Sequence, residues 1–320
     1  MKQTQKHGVI HVLLMGRLGN NMFQYAFARA LQKKFYPKYR IAINVSYFQR
    51  ARESLKLSGL EDHLHDFCID DVIYEDTHPH KVRTFPQWCL GAIGKFAFDN
   101  NGLRNIKNDA KYFQPIYNFC GIYHPITAGQ YIEPRFAHSR NIVIKGFFQH
   151  VKYFDSIRDI LLEEFTPKSE VLPNNKAILD DINVSESVCV HIRRGDYTSI
   201  PQFNVCKEEY FVTAMKAIRE ELPNCKFFVF SDDVEDVKKN MHFPFDVTYE
   251  RGNDPVWENL RLMYSCKHFI ISNSSFSWWA QYLSRNPNKI CYAPTPWLRD
   301  SEKFEGLYLP YMRTIECHKP

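Results

Sequence analysis

Val188-Cys-Val-His-Ile-Arg-Arg-Gly-Asp-Tyr197 decides how this chain is read. An apolar run of strand length passes without a linker into Arg193, Arg194, Gly195 and Asp196. A run that is continuous rather than alternating marks a strand buried on both faces, as in a parallel sheet covered by helices. The same signal recurs at Val9 to Met15, Asn141 to Lys145, Lys226 to Phe230, Phe269 to Ser272 and Lys289 to Ala293. Helical spacing fills the intervals: Phe23, Phe27, Ala30 and Leu31 follow Asn20-Asn21, and Tyr210 to Leu222 and Ser277 to Leu283 show the same period. Strands alternating with helices predict an α/β protein of βαβ units. Pro167, Pro173, Asn174 and Asn175 interrupt the pattern between Thr166 and Asn183, which predicts two lobes, 1–166 and 167–300, with a tail at 301–320 packing back on them. Scattered Gly, Asn and Pro among aromatics at about 68–129 predict an irregular insertion in the first lobe.

Composition removes whole classes of function. With 320 residues, 44% apolar and 24% charged, the chain is globular. Its net charge is 41 − 36 = +5 and no five like charges adjoin, so a nucleic-acid partner is not expected. Nine cysteines, never closely paired, read as buried thiols of a reducing compartment rather than disulfides or a zinc knuckle. The start lacks the uninterrupted apolar stretch of a signal peptide, and the longest apolar segment, Trp88 to Phe98, contains Gly91, Gly94 and Lys95. A soluble, cytoplasmic chain is expected, with at most a peripheral contact at the inner face of a membrane. Aromatics at 15% suit either stacking on sugars and bases or a large core.

Four strand ends carry the candidate chemistry. The sequence has no phosphate-binding G-x-x-x-x-G-K-[ST], no G-x-G-x-x-G, no Asp-x-Asp, no H-E-x-x-H and no G-x-S-x-G, so a metal-free site is the expectation. Arg193 and Arg194 stand where α/β sheets open their ligand crevice, and a guanidinium fork suits phosphate oxygens and the charge on a departing diphosphate. Gly195 permits close backbone approach and Asp196 can orient an arginine; the alternative is a structural pair of Arg194 with Asp196. Asp232 and Asp233 offer acceptors for the ring N–H and amine of guanine, or one of Ser231 and Asp232 caps the helix that follows. Ser272-Asn-Ser-Ser-Phe-Ser-Trp-Trp-Ala280 is a hydroxyl-rich turn opening a helix, which makes either an anion pocket or a capping turn anchored by tryptophans. Gly16-Arg-Leu-Gly-Asn-Asn-Met-Phe-Gln-Tyr25 supplies Asn20, Asn21 and Gln24 to sugar hydroxyls, or is a plain strand-to-helix turn.

In this order and spacing, GRLGNNMFQYAFARAL, GFFQHVKYF (146–154), HIRRGDY, FSDD and SNSSFSWWA resemble the bacterial α1,2-fucosyltransferases of glycosyltransferase family 11, from roughly Val9 to Trp297. The resemblance implies two Rossmann-like lobes facing a cleft, the GT-B type. It implies an inverting, metal-independent transfer of L-fucose from GDP-β-L-fucose to the 2-hydroxyl of a terminal β-galactoside, with no cofactor. Matched motif by motif, Arg193, Arg194, His191 and Asp196 would act in catalysis. Asp232, Asp233, Ser274, Ser275, Phe276, Ser277 and Gly19 would bind the donor, and Asn20, Asn21 and Gln24 the acceptor, a galactose-terminated and even lipid-linked glycan. The family's usual Gly-Gly-Leu-Gly-Asn-Gln start is here altered at Arg17 and Asn21, which bears on the acceptor. Alternatives are a different acceptor or linkage, or a GDP-sugar- or glycan-binding protein without transfer activity.

Overall fold

A computed structural model describes residues 8–55, 60–76, 84–90, 110–125, 129–135, 137–299 and 304–317. The apolar runs pair into ladders, the one arrangement that satisfies a strand's backbone polar groups while its side chains are buried. Two all-parallel sheets result. The first has β1 (Val9–Leu13), β2 (Arg40–Asn44), β3 (Val72–Glu75), β4 (Ile122–Tyr123) and β5 (Asn141–Ile144) in the order β3-β2-β1-β5-β4, with His11 of β1 opposite Ala42 and Val143. The second has β6 (Ser187–Ile192), β7 (Lys226–Ser231), β8 (Val247–Tyr249), β9 (His268–Ile270), β10 (Cys291–Thr295) and β11 (Met312–Glu316) in the order β11-β10-β9-β6-β7-β8. Read from β8, that is the doubly wound order 3-2-1-4-5-6, with its switch point between β6 and β9.

Each sheet belongs to its own unit: Met1–His65 with Ile69–Leu161, and Asp66–Cys68 with Leu162–Pro320. The division falls slightly before the expected 166/167, and 66–68 joins the second unit because Phe67 bridges to Pro167 and meets Phe165 edge to face at 6.2 Å. The helices that shape the sites are α1 (Leu18–Phe35), α2 (Gly195–Ser199), α3 (Glu208–Glu221), α4 (Val234–Asn240), α5 (Val256–Ser265) and α6 (Ser275–Leu283). In the second unit Tyr210, Phe211, Ala214, Met215 and Ile218, one stripe of α3, pack with Val188, Val190 and Ile192 of β6. Each such fully buried aliphatic side chain stabilises the unit by about 1.5–3 kcal/mol. Trp278 and Trp279 are core anchors, the first donating to the Leu307 carbonyl at 2.7 Å and the second meeting Phe165 at 5.2 Å.

Two expectations need correction. The stretch 68–129 is no insertion, since it supplies β3 and β4, the edge strands of the first sheet; its residues 77–83, 91–109 and 126–128 lie outside the described residues. The tail does more than pack back: residues 312–316 form β11, which edges the second sheet. All nine cysteines are free thiols, but Cys68 is exposed and Cys89, Cys120 and Cys206 are half-buried. Among the described residues no helix is long and apolar enough to cross a membrane.

Candidate functional site

Because β6 and β9 diverge in their connections, their carboxyl ends open a crevice in the second unit, and the best candidate residues gather there. Arg193 follows β6 directly. Its Nη1 lies 2.9 Å from Asp232 Oδ2, its Nη2 lies 2.6 Å from Asp196 Oδ1, and its guanidinium sits 5.1 Å from the Tyr197 ring centroid. Tyr197 in turn stacks on Phe203 at 5.0 Å. Asp232 also accepts from the Arg194 backbone N–H at 2.7 Å, while the Arg194 side chain pairs with Asp236, whose carboxyl is thereby held below its usual range. Gly195 has φ +34°, and a Cβ there would lie 2.4 Å from Asp232 Oδ2, so only glycine lets this carboxylate tuck beneath the turn. The pair proposed between Arg194 and Asp196 is therefore replaced by Arg193 with Asp196 and Asp232.

From the other side of the switch point, β9 leads through Ser272 and Asn273 to α6. The Ser274 hydroxyl caps that helix by accepting from the Phe276 N–H at 3.3 Å. Ser277 is fully buried and donates to the Ser272 and Ser274 carbonyls, so it shapes the turn and is not presented to a ligand. Ser275 and Phe276 are half-buried at the helix start, where the positive end of the helix dipole favours an anion. His191 links the two strand ends. Its buried ring shares a hydrogen bond with the Ser272 hydroxyl at 3.1 Å and lies 5.8 Å from Phe276. Burial, with the charge of Arg193 second, lowers its pKa to about 3, so the imidazole is neutral at pH 7.

The carboxylates expected to meet guanine have partners within the chain. Asp232 organises both arginines, and Asp233 caps α4 by accepting from the Asp236 N–H at 3.0 Å, while Ser231 accepts from the Asp233 N–H at 3.1 Å. The capping alternative is the one that the geometry favours, with Asp233 rather than Ser231 or Asp232 as the cap. Asp236 and Tyr197 were missed by the sequence reading. Asp236 is four residues past Asp232, so one helical turn returns it to the same site, a spacing that carries the signal.

In the first unit, the glycine turn is built as a turn. Gly16 has φ +79°, and a Cβ there would meet the Asn20 side chain at 2.4 Å. Gln24 is fully buried: its Oε1 accepts from the Met15 N–H at 3.1 Å and its Nε2 donates to the Met15 and Gly146 carbonyls, tying the ends of β1 and β5 together. Asn21, also fully buried, donates to the Met15 carbonyl at 3.1 Å. Neither is presented to a sugar as expected; both replace ladder bonds where two strands separate. Gly19 is buried in the first turn of α1. Asn20 stays half-exposed, its Oδ1 accepting from Gln149 at 2.8 Å.

A cavity of about 370 Å³ in the second unit is lined by Phe165, Tyr264, Lys267, Ser284 and Arg285 among others, and by none of these candidate residues. Among the described residues no three His, Cys, Asp or Glu side chains are placed to hold a metal ion. The carboxyl-end site thus combines two guanidinium groups, three carboxylates (Asp196, Asp232 and Asp236), a neutral imidazole and a helix start. Such a site can hold an anionic group through the arginines and the α6 N–H groups.

The model of glycosyl transferase family 11 matches residues 123–310. The α1,2-colitosyltransferase of Escherichia coli is 31% identical over 310 residues, covering 92% of this chain and 94% of that protein. A galactoside 2-α-L-fucosyltransferase of Caenorhabditis elegans is 26% identical over 177 residues, covering 52% of this chain and 50% of that protein. Among solved structures, NodZ α1,6-fucosyltransferase co-crystallized with GDP superposes with a TM-score of 0.53 at 15% identity, over 90% of this chain and 96% of that one, which speaks to the fold alone. The fold is accordingly two Rossmann-like units of the GT-B type. With its family model matched over more than half its length and a full-length relative at 31% identity, the chain belongs to glycosyl transferase family 11.

Proposed function

We propose that this chain transfers L-fucose from GDP-β-L-fucose to the 2-hydroxyl of a terminal β-galactoside, with inversion and without a metal. The observation that carries this reading is Arg193, fixed by Asp232 at the carboxyl end of β6 and close in the fold to the start of α6. A sugar diphosphate reacts by losing GDP, so negative charge grows on the β-phosphate as the bond to the anomeric carbon breaks. Arg193 and the start of α6 at Ser275 serve that growth, and a preorganised donor of this kind lowers the barrier without a cation. Arg194, through its backbone and its pair with Asp236, keeps the turn in shape. His191, neutral at pH 7, acts as a hydrogen-bonding wall of the pocket and not as a second positive charge. A loose, oxocarbenium-like transition state asks little of a base, which fits an imidazole of such low basicity. Asn20, half-exposed in the first-unit turn, is available to an acceptor hydroxyl, and a lipid-linked galactoside is within the acceptor class.

A second reading keeps the reaction and changes the sugar: the 31% identical relative is named for colitose, which is fucose without its 3-hydroxyl. One experiment separates them. The purified protein is incubated with GDP-fucose or GDP-colitose and a panel of galactosides, with and without EDTA, and the products are analysed for linkage. The expected result is galactoside-dependent GDP release from GDP-fucose, an α1,2 product and no effect of EDTA. Preference for GDP-colitose establishes the second reading, and glycan binding with no affinity for GDP overturns both.

A further inference from the structure

The charges at the end of β6 do not add up to a ready anion site. Two guanidinium groups face three carboxylates, and both Nη atoms of Arg193 are already bonded to carboxylate oxygens. Three N–H groups of Arg193 remain, but with one carboxylate in excess an arriving diphosphate meets a repulsion that the withdrawal of one carboxylate relieves. The two are not equivalent. The Asp232 side chain is 23% exposed, lies under Gly195 and is fixed a second time by the Arg194 N–H. The Asp196 side chain is 43% exposed, on the first turn of a helix of five residues none of which is buried.

We infer that Asp196 is an exchangeable counter-ion that holds Arg193 in place while the site is empty, yields its bond to the diphosphate when donor binds, and takes the guanidinium back as GDP leaves. This rests on the reading of the site as one for a GDP-sugar. Asp232 is then the permanent anchor and Asp196 a positioning residue that opposes nucleotide binding. The exchange serves turnover: a cationic site without a competing carboxylate would retain GDP, the product, whereas an intramolecular one is always present to displace it.

The two carboxylates must therefore respond to substitution with opposite signs. In a titration of the whole chain with GDP, Asp196→Asn is expected to bind about two- to fivefold more tightly than the wild type, the range that an exposed ion pair is worth. Asp232→Asn is expected to bind at least tenfold more weakly, and Asp196→Glu to restore the wild-type affinity. High salt screens the Arg193–Asp196 pair, so the gain of Asp196→Asn is expected to vanish near 1 M NaCl. In steady state, the donor KM of Asp196→Asn falls and the GDP inhibition constant falls with it. Unchanged or weaker GDP binding by Asp196→Asn overturns the inference; so does a loss of kcat with GDP affinity unchanged, the mark of a base. Should the variant not fold, the wild type alone decides: exchanging one ion pair for another gives GDP binding a shallow salt dependence, and a steep one overturns the exchange. A wild type that binds no GDP at millimolar concentration fails at the prior step, the donor reading itself.

Discussion

Gly195→Ala tests the heart of the site without touching a charge. The substitution puts a methyl group 2.4 Å from Asp232 Oδ2, and an oxygen in such a place must retreat to at least 3.0 Å, a shift of about 0.6 Å. Asp232 cannot make that shift without stretching its bonds to the Arg194 N–H, now 2.7 Å, and to Arg193 Nη1, now 2.9 Å. Hydrogen bonds to charged groups are worth about 1.5–3 kcal/mol each in burial, less here because the Asp232 side chain is partly exposed, and a left-handed φ adds about 1–2 kcal/mol for alanine. A destabilisation of about 2–4 kcal/mol is expected, which lowers the Tm of a unit this size by roughly 4–16 °C. GDP affinity, measured below the transition, is expected to fall at least tenfold because Arg193 loses its anchor. A double-mutant cycle isolates the cause: in an Asp232→Ala background there is no carboxylate to strike, so Gly195→Ala is expected to retain only the backbone contribution. Equal destabilisation in both backgrounds, or an unchanged Tm and GDP affinity in the single variant, would refute the reasoning.

Three further outcomes follow from the same geometry. Arg193→Ala is expected to lower kcat/KM for the donor by about 10²–10³, the loss typical of one preorganised transition-state donor, and near-native turnover would remove this arginine from the mechanism. Asp233→Ala is expected to destabilise the second unit by about 1 kcal/mol through loss of the α4 cap, with GDP affinity little changed; a selective loss of GDP binding would return this carboxylate to the guanine. The imidazole of His191 titrates at about 3 in the folded chain and near 6.5 unfolded, so between those values protons bind the unfolded state more: stability is full above pH 6.5 and falls as the pH drops toward 3. Melting at pH 7 and pH 5 should show a smaller drop for His191→Gln than for the wild type, and equal drops would contradict the burial of a neutral ring.

What the sequence discloses follows strand position. Six of the seven interior strands, β1, β5, β6, β7, β9 and β10, announce themselves as apolar runs because successive residues are buried on both faces. The four edge strands are silent for the opposite reason. Val72–Glu75, Ile122–Tyr123, Val247–Tyr249 and Met312–Glu316 each pair on one side only, are short or carry polar residues, and so lack the continuous run; β2, whose Ile41, Ala42 and Ile43 lie between Arg40 and Asn44, is the one interior strand that the apolar runs do not mark. Hence the supposed insertion at 68–129 and the supposed tail at 301–320 are where three of the four hidden edges lie.

The site divides in the same way, between what composition lists and what only geometry pairs. Sequence names the arginines, the aspartates and the hydroxyl-rich turn, because a ligand crevice at strand ends needs charge and small residues there. It does not say which aspartate serves which arginine. Asp232 reaches back 38 residues to the Arg194 backbone, Asp236 reaches back 42 to its side chain, and Asp233, adjacent to Asp232, does neither and caps a helix. Neighbours on a strand end point apart, so a pair of carboxylates in sequence is seldom a pair in space. The buried amides of the first unit make the same point: Asn21 and Gln24 look like sugar ligands by type, yet β1 and β5 separate just there, and their freed backbone groups claim both side chains first.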